Sequence, residues 1–408
     1  MVLTCEEKRE AKPGALAGLK VLDFTTLLPG PYATMCLADM GADVLRIVSA
    51  SRPDMGDSMP PFLPGTDVSS ASAYLGRNKR CMNLNLKDPR AREIVGRIIS
   101  VLGFDIVIEQ FRPGVMSRLK LDYESLKAVD PRLIYCSITG YGQDGPLRDK
   151  AGHDINYIAR SGIASYSGKK GQGPSLMAMQ IADVAAGSQN AIIGILAAAF
   201  HRNATGRGQF IDISMTDGMI AFNTFFGAAF FADGKVPEPE TTFVNGGSLY
   251  DYYETADGAY ISFGGLEPQF FANFCRVIDR PDLIRGGVMP KDAASIKTEI
   301  RHIIATKTRQ EWLRLFHDTD ACVEPVLAMD EVFQDALAND RGMLVDVPLS
   351  DGRTARQIAN PIKFSETGHA YRHIGVPSSS GSHTGEVFKE LGYADSEIEA
   401  FAKTGLFG

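Results

Sequence analysis

The 408 residues exceed the usual size of one domain, so the chain reads as two domains, or as one large domain with a smaller one embedded. A hydrophobic share of 44% and a charged share of 22% exclude a disordered chain. A net charge of -7 argues against nucleic acid as the main partner, and six cysteines without a CxxC pair suggest neither a metal site nor a disulfide framework, which fits a reducing cytoplasm.

Met1 to Gly14 is dense in charge, the opposite of a signal peptide, and reads as a solvated tail. After it, short apolar runs alternate with helical patterns. Val21–Phe24, Ala42–Val48, Cys81–Leu86, Asp105–Glu109 and Leu133–Ile138 read as strands, with helices over Pro31–Met40 and Arg90–Val101 between them. Such alternation predicts an α/β fold with a doubly wound parallel sheet. The turn after the first strand, Leu28-Pro29-Gly30-Pro31, lacks the G-x-G-x-x-G pattern, so a dinucleotide is disfavoured; there is also no phosphate loop and no H-E-x-x-H metal motif.

Ile181–His201 reads as an alanine-rich helix, and Phe210–Ser214 as a strand. The longest apolar run, Ala191–Phe200, is half the length of a membrane span and reads as a buried helix, so no membrane partner is expected. Met219–Ala232, rich in phenylalanine, reads as a buried connector. Tyr250–Glu254 and Ala259–Phe263, joined through Asp257-Gly258, read as two strands opening a second domain, followed by helices to about Val326. The tail from Asn360 returns to short elements around a loop at Ser378–Ser382.

Four places carry groups able to do chemistry. His153 and Asp154, side by side in a turn entering a helix, have the plain reading of helix capping. Asp183 stands among small apolar residues; its plain reading is an N-cap, yet apolar surroundings raise a carboxyl's pKa towards the range for proton transfer. Glu267, between glycines and a proline, reads first as a solvated loop residue. Arg46, Lys79, Arg80 and Arg112 fall beside strand ends, where such sheets bind ligands, and suit a nucleotide-like anion; their plain reading is a solvated face.

Together, Gly18-Leu19-Lys20-Val21-Leu22-Asp23, Leu37-Ala38-Asp39-Met40-Gly41-Ala42-Asp43-Val44, Arg77-Asn78-Lys79-Arg80, Phe111-Arg112-Pro113-Gly114-Val115, Gly140-Tyr141-Gly142-Gln143 and Thr205-Gly206-Arg207-Gly208-Gln209 resemble the superfamily of class III CoA-transferases and alpha-methylacyl-CoA racemases. The likeness runs from about Gly18 to Leu391. Gly152-His153-Asp154-Ile155-Asn156-Tyr157 is similar to the racemase branch, and so are Thr319-Asp320-Ala321-Cys322-Val323 and Pro325-Val326-Leu327. The resemblance implies that His153 and Asp183 are paired acid/base groups, that Glu267 supports the histidine, and that Asp154 belongs to the same catalytic set.

It also implies a Rossmann-like large domain over 15–213 completed by 360–408, a linker at 214–246, a small α+β domain over 247–344 and a linker at 345–359. Two such chains interlock as a homodimer, with Glu267 meeting His153 across the interface; a heteromer with a related subunit is the other assembly. The implied substrate is an acyl-CoA thioester, contacted by Arg46, Arg112, Lys79 and Arg80, with CoA carried as part of the substrate and no separate cofactor. Backbone amides after Asp183 are candidates for holding the enolate oxygen. Val184-Ala185-Ala186-Gly187 departs from the racemases and looks more like a transferase, in which Asp183 would be the nucleophile forming an aspartyl-CoA thioester. Ser51–Ser72 is longer than its racemase counterpart and reads as a loop bordering the CoA channel. Three functions therefore stand: epimerisation of a 2-methylacyl-CoA, CoA transfer between carboxylic acids, and a non-catalytic CoA-binding subunit.

Overall fold

The computed structural model describes residues 13–49, 53–377 and 380–408. The charged tail up to residue 12, with Cys5, lies outside the described residues, as do residues 51–52 and 378–379 of the two loops read at Ser51–Ser72 and Ser378–Ser382. Two compact units divide the chain: Met1–Tyr157 with Met179–Met219 and Leu337–Gly408, and Ile158–Ala178 with Ile220–Ala336.

The first unit is mixed α/β. Its six strands, β1 (Lys20–Asp23), β2 (Asp43–Val48), β3 (Arg80–Asn83), β4 (Ile106–Glu109), β5 (Ile134–Thr139) and β6 (Phe210–Ser214), pair in parallel in the order 3-2-1-4-5-6. The order reverses between β1 and β4, and at such a switch point the carboxyl ends of neighbouring strands leave a crevice open. β4 and β5 are buried along their whole length because helices cover both faces, which is why they read as continuous apolar runs. Helix α1 (Pro29–Asp39) follows β1 and starts at a proline, whose missing N–H costs nothing there. Helix α2 (Ala91–Leu102) buries Ile94, Val95, Ile98 and Ile99 on the sheet face that also holds Val107 and Tyr135. Gly103, left-handed at φ 74°, ends α2 by donating to Ile99 O. Ile98 is fully buried, and Ile98→Val is expected to cost about 1 kcal/mol of stability, read as a lowered thermal midpoint.

Buried ion pairs fix this sheet, among them those of Arg77 and Lys79. Arg77, with no exposed surface, clasps Asp39 at the end of α1 through Nε at 2.9 Å and Nη2 at 2.6 Å, and donates to Ile358 O at 2.7 Å in an antiparallel ribbon, Leu344–Pro348 with Thr354–Ile358. Lys79 reaches Asp23 at 3.3 Å, Pro31 O at 2.9 Å and Thr34 Oγ1 at 2.6 Å.

Residues 182–205 form one helical run of 24 residues, long and apolar enough by length and composition to cross a membrane. The sequence reading allowed only ten apolar residues, because Asp183, Gln189 and Asn190 interrupt the hydropathy without interrupting the helix. Ala182–Gln189 is π-helical and Asn190–Thr205 is α-helical, with Ala191, Ile195 and Ala198 buried at helical spacing. Gly194 lies where a Cβ would come within 3.0 Å of Ile211 in β6.

The second unit carries the antiparallel strands β7 (Asp251–Glu254), β8 (Tyr260–Phe263) and β9 (Val323–Pro325). Helices Pro268–Val277, Ala293–Ile304 and Arg309–Phe316 bury Phe271, Phe274, Ile300 and Trp312 with them. The Trp312 indole donates to Ile304 O at 2.7 Å, so its polar edge is satisfied inside the core. The phenylalanine-rich segment is two helices, Met215–Ala221 and Thr224–Asp233, and several of its rings face outward, Phe225 being 72% and Phe231 88% exposed, while Phe226 stacks on Tyr166 at 4.3 Å. The expectation of a buried connector is corrected on this point. Composition signals that a surface must be covered, not that this chain covers it.

Candidate active site

The loop after β1 and the loop after β4 meet at the switch point. Gln110 Oε1 accepts the Gly30 N–H at 3.0 Å, tying the start of α1 to the end of β4. Ser188 donates to Pro29 O at 2.6 Å, which brings the π-helical segment against the same place. A π turn inside a longer helix is a geometry frequent at functional sites. Asp183 lies in its first turn, half-buried, and Ile181 rather than Asp183 is the residue in the capping position.

The segment ahead of that turn is held by Asp154. Its Oδ1 accepts the N–H of Ala182 at 2.7 Å and the N–H of Asp183 at 3.1 Å. A carboxylate at the start of a helical run satisfies orphan amides, but here it caps a helix 28 residues further along, not its own. That long-range cap was not legible from spacing. The same bonds, with Val184 N–H donating to Gln180 O at 2.9 Å, occupy the amides at 182, 183 and 184, so these three are not free to hold an enolate oxygen. Of the amides after Asp183 that were expected to do so, the one at Val184 is thereby corrected.

Burial pushes the Asp183 carboxyl up to about 6; the neighbouring Asp154 charge pushes the same way, and His153 pulls it back. His153 is exposed and precedes helix Asp154–Ser161. Its N–H donates to Asn156 Oδ1 at 3.0 Å and its carbonyl accepts from Asn156 N at 2.8 Å, so the helix start is closed by Asn156 and the imidazole is left for other work. Tyr157 donates to Gly152 O at 2.5 Å and meets Tyr141 edge to face at 5.3 Å, fixing the backbone next to His153. Glu267 belongs to the second unit, exposed in the capping position of helix Pro268–Val277 with its side chain making no cap bond.

The four basic residues have different fates. Lys79 spends its three donors on Asp23, Pro31 O and Thr34, and burial pulls its ammonium down to about 8. Arg80 is held by Asp43, Glu386 and Glu390. Arg46, 6% exposed, pairs with Asp54, yet its Nε has no acceptor among the described residues. Asp54 also accepts the N–H of Leu27, a non-glycine residue at φ 61°, and so holds the bend after β1. Arg112 is exposed, its side chain without a hydrogen bond or ion pair among the described residues, and it lines a cavity of about 370 Å3 with Glu109, Tyr123, Tyr135 and Gln143.

A family model of CoA-transferase family III matches residues 16–384. The chain is 33% identical over 393 residues to alpha-methylacyl-CoA racemase of Homo sapiens, covering 94% of this chain and 95% of that one. It is 30% identical over 405 residues to succinyl-CoA:glutarate CoA-transferase of Homo sapiens, covering 96% and 89%, and 32% identical over 391 residues to succinate–glutarate CoA-transferase of Agrobacterium fabrum, covering 92% and 95%. A crystal structure of a CAIB/BAIF family protein from Brucella suis, 26% identical, superposes with a TM-score of 0.81 over 93% of this chain and all of that one.

Proposed function

The chain belongs to CoA-transferase family III, and on that premise we propose that it inverts the α-carbon of a 2-methylacyl-CoA by proton transfer between two groups, His153 and Asp183. The observation that carries this reading is the state of Asp183: a half-buried carboxyl held at about 6, beside an exposed imidazole whose ring is not needed to close its helix. Removing a weakly acidic proton from one face of a thioester and returning one to the other needs an acid/base group on each face. Asp154 sets the Asp183 backbone and raises its pKa, and Glu267 is proposed to orient His153. CoA is part of the substrate, and the proton transfer calls for no further cofactor.

For the phosphates of CoA we propose Arg112, whose side chain has no partner among the described residues, and Arg46, which is paired with Asp54 but keeps an Nε without an acceptor; the donors of Lys79 and Arg80 go to internal partners. Arg112→Ala is expected to raise KM for an acyl-CoA about tenfold with kcat nearly unchanged, the pattern of lost uniform binding. The exposed phenylalanine face of Thr224–Asp233 is proposed to be covered by a second copy in an interlocked dimer, to be read by sedimentation. A cytoplasmic location is part of the same proposal.

CoA transfer is the second reading. It is favoured by the near-equal identity to racemase and transferase relatives, and by a carboxyl that is mostly ionised above pH 6 and therefore able to attack a thioester. Incubation with 2-methylacyl-CoA in heavy water, with no acceptor acid, separates the two. Deuterium entering the α-carbon supports the epimerase. No exchange across a panel of acyl-CoAs, with an Asp183 adduct trapped by hydroxylamine, supports the transferase. Tight CoA binding with neither outcome leaves the non-catalytic subunit.

A further inference from the structure

Glu109 ends β4 and is 4% exposed. Its carboxyl accepts the Phe111 N–H at 2.7 Å and the Ser137 hydroxyl, and no cation pairs with it among the described residues. Ser137 Oγ accepts the side-chain amide of Gln143 at 2.6 Å, and the Gln143 backbone N–H donates to Asp212 at 3.0 Å. In parallel register Glu109 stands beside Ser137, and Ser137 beside Asp212, so the cluster occupies one sheet face and opens on the cavity that Arg112 also lines.

Two loops start from this cluster, and both lead to the candidate site. One runs through Gln110, which holds Gly30 at the start of α1, to Arg112. The other is Gly140–Gln143, on which the Tyr157 ring rests. A Cβ at Gly140 would lie 2.4 Å from that ring, so only glycine admits the contact. Tyr157 in turn holds the carbonyl of Gly152, the residue before His153.

We propose that Glu109 is a positioning residue for both halves of the site: its ionised carboxylate clamps the two loops, and its protonation loosens them. Phe111 N–H and the Ser137 hydroxyl bond more strongly to a carboxylate than to a neutral acid. On protonation the acid must itself donate, which turns the Ser137 hydroxyl round and weakens its hold on Gln143. The titratable and charged groups around Glu109 are Tyr135 and Cys136 on β5, Asp212 on β6, and Arg112, Asp122, Tyr123 and Glu124 around the cavity. Burial first and Asp212 besides hold the acid up at about 7, with Ser137 and Phe111 pulling down, so the change falls in the neutral range.

That the clamp serves His153 rests on the function proposed above; the clamp itself is tested without substrate. Hydrogen exchange of the full chain, corrected for intrinsic rates, is followed from about pH 6 to about pH 8 across the ordinary spread of such a titration. Protection of peptides over 110–112 and 140–143 is expected to rise about threefold in the wild type as the charge-assisted bonds form, and to stay flat in Glu109→Gln. A flat wild type, or the same step in both proteins, overturns the proposal. Should Glu109→Gln fail to fold, Ser137→Ala is expected to keep the step over 110–112 and lose it over 140–143; retention in both segments is equally fatal. A clear step in a protein that never exchanges an α-proton removes the function and leaves the clamp, and the reverse result does the opposite.

Discussion

Asp183→Asn is expected to lower α-proton exchange into a 2-methylacyl-CoA by about 100- to 10,000-fold, the range a positioned acid or base contributes. The replacement keeps the shape and removes the proton carrier. It also carries its own control on folding. Asp183 is held at about 6, above its ordinary 3.8, so the native state keeps the proton more firmly than the unfolded chain does. Stability therefore falls as pH rises between those values, and asparagine removes that loss. At pH 8 the variant should unfold no earlier than the wild type, so a dead but well-folded Asp183→Asn indicts the chemistry. Near-normal exchange in this variant sinks the two-group mechanism. If exchange is absent from the wild type as well, while CoA transfer is present and lost in Asp183→Asn, the carboxyl is a nucleophile.

Much of the large sheet is legible in the sequence because burial on both faces writes strands as unbroken apolar runs, as in Ile106-Val107-Ile108. The boundaries drift by a residue or two, except where a turn intervenes: the strand read to Leu86 ends at Asn83, after which the chain turns at Asp88, whose carboxylate accepts the Arg90 N–H at 2.9 Å. His153 and Asp183 could each be singled out by type and neighbours. Their connection through Asp154 could not, since a cap across 28 residues leaves no periodic trace. The basic residues show the same limit from the other side. Arg77-Asn78-Lys79-Arg80 looks like an anion patch, but Arg77 and Lys79 complete the buried carboxylates Asp39 and Asp23, and those partners are 38 and 56 residues away. Glu109 escaped notice for a related reason: at the end of an apolar strand it resembles an ordinary solvated terminus, and only the sheet register brings Ser137 and Asp212 beside it.

Asp154 allows its two contributions to be separated. Asp154→Ala leaves the N–H groups of Ala182 and Asp183 without their acceptor, and each partly buried orphan costs about 1–3 kcal/mol, so the loss is expected to be about 3 kcal/mol with the π turn frayed. Exchange into the substrate should fall with it, because the backbone of Asp183 is no longer fixed. Asp154→Asn retains a carbonyl oxygen for both amides but drops the negative charge that helps to raise Asp183. Its stability should stay close to the wild type. The acid limb of its kcat/KM profile should move to lower pH, because a base with a lower pKa stays ionised further down. If both variants lose activity alike and the limb of the asparagine variant does not move, the charge of Asp154 has no part in tuning Asp183, and its role is that of a cap alone.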